Sequence, residues 1–338
     1  MVVFYHYPKE LLPNSIYNFF LIRNSWLFVD FFFVLSGFVI SYNYVSIDNK
    51  SDLLIFIKKR LIRLYPLLFY TVLIFLCFEI ISPLIFPQLV NYPNTLIENI
   101  ELTVESLLFF NSTPIIGITS GMNHPSWSIS SEMISYIVYG IFTYYCTRRV
   151  KNIFSFFIII VSLAILFFIS NNTKGIHFTG DYGFLRGFIG FFIGALVYEF
   201  YSNKNFTIQN SFEYLITLLL ILSFYFVNII NNNFTFIFPF IFGLFILFLT
   251  KTNGYISKFL EHKILRFYGR ISYSIYLNHI IIIITLPRLL IRLLTIEQHP
   301  MNQILLLLMT LIFLIIYSNY THKIIELYFG NILKRRLL

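Results

Sequence analysis

Nine apolar runs, near 26–44, 64–81, 126–147, 153–170, 183–201, 212–230, 234–250, 271–294 and 302–320, constrain this chain more than any motif in it. Each is long enough to cross about 30 Å of hydrocarbon as a helix. In that medium every backbone N–H and C=O must find its partner within the protein, so the runs predict an all-α, polytopic transmembrane helical bundle. Composition agrees, with 58% hydrophobic and only 12% charged residues over 338 positions. Met1–Tyr7 (MVVFYHY) reads as the last two turns of a further, shortened first span, so the pattern is nine full spans plus a truncated one. No charged n-region, h-region and cleavage site precede it, which excludes a signal peptide. With no repeat and no hydrophilic insertion, 1–338 reads as a single integral membrane domain.

Cations alternate with the spans. The segments 45–63, 148–152, 202–211, 251–270 and the C-terminal tail hold 18 of the 24 Lys and Arg residues, Lys204 among them. The positive-inside rule places these segments, and the C-terminus, in the cytoplasm. A net charge of +9 so distributed belongs to membrane topology and excludes nucleic-acid binding. Cys77 and Cys146 stand singly in apolar runs and read as packing residues, with no metal-ligand spacing around them.

Polar groups inside the spans mark where chemistry can occur. In HPSWSISSEMISYIVYGIF (124–142), Ser128, Ser131, Glu132, Ser135 and Tyr136 form one stripe of a helix. A carboxylate there costs several kcal/mol and faces the protein interior, so Glu132 is a functional candidate, with a helix-to-helix hydrogen bond as the plainer alternative. His6 stands near the outer end of the first segment and is the side chain best suited to pass a proton near neutral pH. In FVDFFFVLSGFVISYNY (28–44), Asp30, Gly37 and Ser41 share a face, Ser36–Gly37 admits a neighbouring helix, and Asp30 is placed to pair with His6 and orient it. In KKRLIRLYP (58–66), Arg60 and Arg63 lie at i, i+3, a pair suited to phosphate as well as to topology. In YGRISYSIYLNHIII (268–282), Ser272, Tyr276 and His279 recur at i, i+4, i+7. There is no G-x-S-x-G elbow, Walker loop, H-E-x-x-H or paired acidic metal motif.

Taken in this order, these segments resemble membrane acyltransferase family 3, whose members move acyl groups onto cell-envelope glycans, lipids and small secreted molecules. The family's first-span histidine, F-F-x-L-S-G-F, R-x-x-R-x-x-P, W-S-x-x-x-E and I-S-Y-x-x-Y-L-x-H are matched at His6, Phe32 to Phe38, Arg60, Arg63 and Pro66, Trp127, Ser128 and Glu132, and Ile271 to His279. Its closing I-E resembles Ile325–Glu326. The family's arginine ahead of that histidine has no counterpart after Met1, so either Met1 lies downstream of the true start or this copy is degenerate; Asn24, Ser25 and Trp26 stand where the family often has glycines.

The resemblance implies an integral O-acyltransferase of the inner (cytoplasmic) membrane. Its donor would be acyl-CoA, commonly acetyl-CoA, with no bound cofactor and no metal. Its acceptor would be a hydroxyl of an envelope polysaccharide, glycolipid or lipid-linked sugar. In that assignment His6, oriented by Asp30, accepts the hydroxyl proton, Glu132 is its buried partner, and Arg60 and Arg63 hold donor phosphates. Ser36, Trp127, Ser128, Tyr136, Ser272, Tyr276 and His279 line the acyl path or the acceptor site. The same buried stripes would serve a transporter or flippase of a glycan or lipid intermediate, and a polysaccharide polymerase or ligase is a third reading.

Overall fold

A computed structural model of the chain describes residues 1–85, 94–115, 120–203, 208–295 and 299–338, and among these it is all helical. The helices that matter for the site are α1 (Val2–His6), α2 (Phe28–Asn43), α3 (Lys50–Ile85), α4 (Leu96–Leu107), α5 (Trp127–Tyr145), α6 (Arg148–Ser170) and α7 (Gly183–Asn203). They are followed by α8 (Phe212–Phe226), α9 (Phe238–Lys251), α10 (Lys263–Leu294) and α11 (Pro300–Thr321). A π-helical segment, His322–Phe329, then leads into α12 (Gly330–Leu337).

All nine predicted runs are helical. By length and composition alone, seven helices among the described residues can cross a membrane. Two predicted spans fall outside that set. α8 has only 15 residues, and α5 is diluted by the serines and the glutamate of its polar stripe. α3 is longer than its predicted run and carries Arg60 and Arg63 on continuous helix with the apolar part. α4 occupies a connection to which the sequence assigned no element. It begins with a capping box in which Thr95 and Glu98 satisfy each other's backbone N–H.

α7 is the hub, with 72% of its apolar window buried against 28–56% for the other candidate spans. Glycines let it approach its neighbours closely. A Cβ on Gly37 of α2 would overlap the carbonyl of Phe191, and one on Gly194 of α7 would overlap the carbonyl of Val34. Close backbone approach replaces the hydrophobic drive that is missing between helices in lipid. On another face, Gly187 of α7 lies against Ser131 of α5, whose hydroxyl donates to the Gly183 carbonyl at 2.8 Å. α10 and α11 pack together, with α3 and α1 against α10.

The cationic connections meet at one end of the bundle. There the Tyr139 hydroxyl donates to the Tyr44 carbonyl, Lys151 reaches Tyr139, Arg148 pairs with Glu199 at 2.6 Å, and Lys58 donates to the carbonyl of Leu337. Lys204 lies outside the described residues. At the other end, the loop before α5 is fixed by Asn111 donating to Ser126 and by Asn123 donating to the Leu277 carbonyl, which sets α5 against α10. Gly194→Ala is expected to lower stability by about 1–3 kcal/mol through overpacking. Thermal unfolding in detergent checks this, and an unchanged midpoint would mean that the α2–α7 contact is slack.

Candidate functional site

Three groups of polar side chains lie in a column through the bundle. The first is a buried ion pair. Asp30, in the first turn of α2, receives Nε of Arg186 at 2.8 Å and Nη2 at 2.7 Å, and the two side chains are 0% and 1% exposed. The guanidinium also donates to the carbonyls of Trp26 and Phe178 and lies 5.0 Å and 5.1 Å from the rings of Trp26 and Trp127. This geometry corrects one expectation. Asp30 does not orient His6, because both its oxygens are taken by a guanidinium whose fork matches a carboxylate. Trp127, expected on the acyl path or at the acceptor site, packs on Arg186, Val29 and Phe33. Arg186 went unread although it sits in the apolar run GFLRGFIGFFIGAL. The rule that singled out Glu132, that an intramembrane charge needs a reason, applies to it equally.

The second group surrounds a cavity of about 200 Å³ between α2, α3, α5 and α10. Seven of the twelve predicted site residues line it: Arg60, Arg63, Ser128, Glu132, Tyr136, Ser272 and Tyr276. Glu132 accepts hydrogen bonds from Ser36 at 2.6 Å and, over a short contact, from Tyr136; those two hydroxyls are themselves 2.9 Å apart. Ser36 therefore positions the acid without lining the cavity. Arg60 lies against the rings of Tyr44 and Tyr136, at 5.5 Å and 5.9 Å, and its buried Nε has no hydrogen-bond partner among the described residues. Arg63 pairs with Glu326, which also accepts from Ser274. Glu326 is presented by the π-helical segment, a distortion common at functional sites. At the far end of the cavity Ser128 donates to the Tyr276 hydroxyl at 2.9 Å.

The third group is imidazole. His279, fully buried halfway along α10, has Nδ1 2.5 Å from the Tyr276 carbonyl. A carbonyl only accepts, so the proton is on Nδ1 and Nε2 carries a lone pair. That Nε2 has no hydrogen-bond partner among the described residues. The ring of His6 is 5.2 Å from His279 and 6.0 Å from His124. His6 also lines a second cavity, of about 540 Å³, with Tyr5, Lys9, Tyr17, Arg23 and Trp26. Beside it, in the connection 171–182, loss of solvent and the nearby Arg186 guanidinium hold His177 down to about 4, so it is uncharged at neutral pH. His6 and Glu132 thus line different cavities, and the rings that stand near His6 include those of His279 and His124. Among the described residues no three His, Cys, Asp or Glu side chains are arranged to hold a metal.

The column can hold an anionic molecule beside Arg60 and Arg63, offer hydroxyl donors at Ser128 and Tyr276, and accept a proton at an imidazole facing the opposite cavity. A family model described as an acyltransferase domain, Acyl_transf_3, matches residues 1–319. No curated protein and no solved structure matches the chain. Arg186→Ala, which strands Asp30, is expected to cost about 3–5 kcal/mol, and Asp30→Leu combined with Arg186→Met markedly less. Survival of monodisperse protein after heating measures both. A single variant as stable as the double would mean that the charges are already solvated.

Proposed function

Since the chain belongs to the acyltransferase 3 family, we propose that it is an integral membrane O-acyltransferase drawing acetyl from cytoplasmic acetyl-CoA and esterifying a hydroxyl of a cell-envelope glycan or glycolipid. The observation that carries this reading is the pair of cavities with Ser128, Tyr276, His279 and His6 between them. One cavity bears Arg60 and Arg63 beside the cationic end of the bundle, and the other opens at His6. The positive-inside rule makes the cationic end cytoplasmic and lets each substrate arrive from its own side.

Arg60 and Arg63 engage the phosphates of the donor as charge-assisted partners. Glu132, held by Ser36 and Tyr136, keeps the Tyr136 ring beneath Arg60 and so fixes the height of that guanidinium. The thioester carbonyl extends toward Ser128 and Tyr276, whose hydroxyls stabilise negative charge as it develops on the carbonyl oxygen. The acceptor enters beside His6 and gives its hydroxyl proton to imidazole as its oxygen bonds to the acyl carbon. The carbon–sulfur bond breaks, and the thiolate of CoA leaves and is reprotonated. His279, with its Nδ1 proton held by the Tyr276 carbonyl, has a lone pair ready to share the proton with His6.

Reconstituted protein given acetyl-CoA labelled in the acetyl group and an envelope glycan fraction is expected to move label onto glycan. Translocation of glycan without label transfer would favour a carrier instead. His6→Ala and His279→Ala are each expected to lower kcat by about 10²-fold or more, the usual scale for general acid–base catalysis, with little change in donor KM. Wild-type turnover by either variant would remove that imidazole from the mechanism. Arg60→Ala is expected chiefly to raise the KM for acetyl-CoA, and an unchanged value would leave Arg60 as a topology determinant alone.

A further inference from the structure

The vestibule at His6 carries charge that membrane topology does not explain. Eighteen of the 24 cations lie in the cytoplasmic-parity segments. Of the other six, Arg186 is paired with Asp30, Arg288 with Glu10 at 2.9 Å, Lys174 lies over Phe178, and Arg292 stands in the last turn of α10. Lys9 and Arg23, from separate short helical segments, instead both line the vestibule, with the Lys9 ammonium held against Tyr17. Both are exposed. The lining holds no carboxylate, and the adjacent Glu10 is occupied by Arg288. Two cations lining one space act against the preferred orientation of the chain, and both attract an anion that stands between them.

The remaining surface is amphipathic. Tyr5, Tyr17 and Trp26 offer flat apolar faces with polar edges, as the ring of a sugar requires, and Lys9 lies 5.0 Å from the centre of the Tyr17 ring. At about 540 Å³ the cavity is in the range of small-molecule sites. We propose that the vestibule recognises its acceptor through an anionic substituent, so that the acceptor is an acidic sugar, bearing a carboxylate or a phosphate, whose charge docks between Lys9 and Arg23 while a neighbouring hydroxyl meets His6. The inference rests on the acyltransferase reading for the role of His6, and not for the charge preference.

Full-length protein in nanodiscs of neutral lipid is titrated with methyl glucuronide, glucose 6-phosphate and methyl glucoside, with quenching of tryptophan fluorescence as the readout, since Trp26 lines the cavity. At least one acidic sugar is expected to bind about five- to tenfold more tightly than the neutral one, the scale of two exposed charge pairs acting together. Which of the two does so identifies carboxylate or phosphate as the substituent. Lys9→Gln with Arg23→Gln should abolish the preference, Arg23→Lys should retain it, and added salt should weaken it. Equal affinity for all three sugars, no binding of any, a preference that survives the double glutamine variant, or quenching that follows only anionic lipid in the disc would each overturn the proposal. Acyl transfer to neutral sugars at full rate by the double variant would sink the acidic acceptor and leave the acyltransferase. Selective binding of acidic sugars without any acyl transfer would do the reverse.

Discussion

The contact between Asp30 and Arg186 sets the height at which everything else in the column stands. Two full charges removed from water are tolerable only when the geometry is good and further hydrogen bonds are made. Here the bidentate pair, two backbone carbonyls and two indole rings supply that. Slippage of α2 along α7 would strand both charges, so the pair fixes a register that the glycine contacts at Gly37 and Gly194 merely permit. Ser36 lies six residues beyond Asp30 on α2, about 9 Å along the helix. Glu132 lies five residues beyond Trp127 on α5, about 7.5 Å. Because Arg186 binds Asp30 and supports Trp127, both helices are measured from one guanidinium, and Ser36 and Glu132 arrive at the same level.

α10 does the corresponding work on the other side. Its period brings Ser272 and Tyr276 to the cavity with Arg60 and Arg63, and His279 to the imidazole cluster, on one continuous face. The Tyr276 residue serves both compartments, with its hydroxyl receiving Ser128 and its carbonyl fixing the tautomer of His279. A displacement of α10 would therefore disturb the Ser128–Tyr276 hydroxyl pair and the His279 imidazole together. The Asn123 bond to the Leu277 carbonyl holds this helix to the loop that opens α5.

Much of this was legible in the sequence because membrane helices obey a simple rule: long apolar runs become helices, and the exceptions within them face inward. Asp30, Gly37 and Ser41 are buried as their shared face requires, and Ser128, Ser131, Ser135 and Tyr136 likewise. The convergence of Arg60, Arg63, Glu132 and Tyr276 on one cavity also matches the motifs that carry the family resemblance. What the sequence does not contain is which polar residue meets which. Asp30 and His6 are plausible partners by span and depth, yet the nearest guanidinium, 156 positions away, claims the carboxylate. Periodicity gives the face of a residue on its own helix, whereas partnership depends on the order of helices around the bundle. The length of α8 was misjudged for a different reason: apolar residues continue to 230 past the end of the helix at Phe226, and apolarity alone does not mark where helix hydrogen bonding stops.

On the proposed reading, the distribution of charge along the column bears on why the reacting centre would be made of neutral groups. Cations stand at each end, Arg60 and Arg63 at one and Lys9 and Arg23 at the other. Between them lie the Ser128 and Tyr276 hydroxyls and His279, and the nearest carboxylates are already engaged, Asp30 by Arg186 and Glu132 by two hydroxyls. If an anionic donor and an anionic acceptor approach from opposite ends, their mutual repulsion grows as they leave water, because a low dielectric weakens screening. Cations at the ends offset that repulsion where each substrate is bound. Placed at the centre, they would hold the leaving thiolate and slow its release, whereas neutral donors respond chiefly to charge that appears in the transition state. The separation of Glu132 from His6 fits the same proposal. A carboxylate beside the imidazole would favour its protonated form, so an acid kept in the cavity with Arg60 and Arg63 would leave a base at His6 free to take a hydroxyl proton.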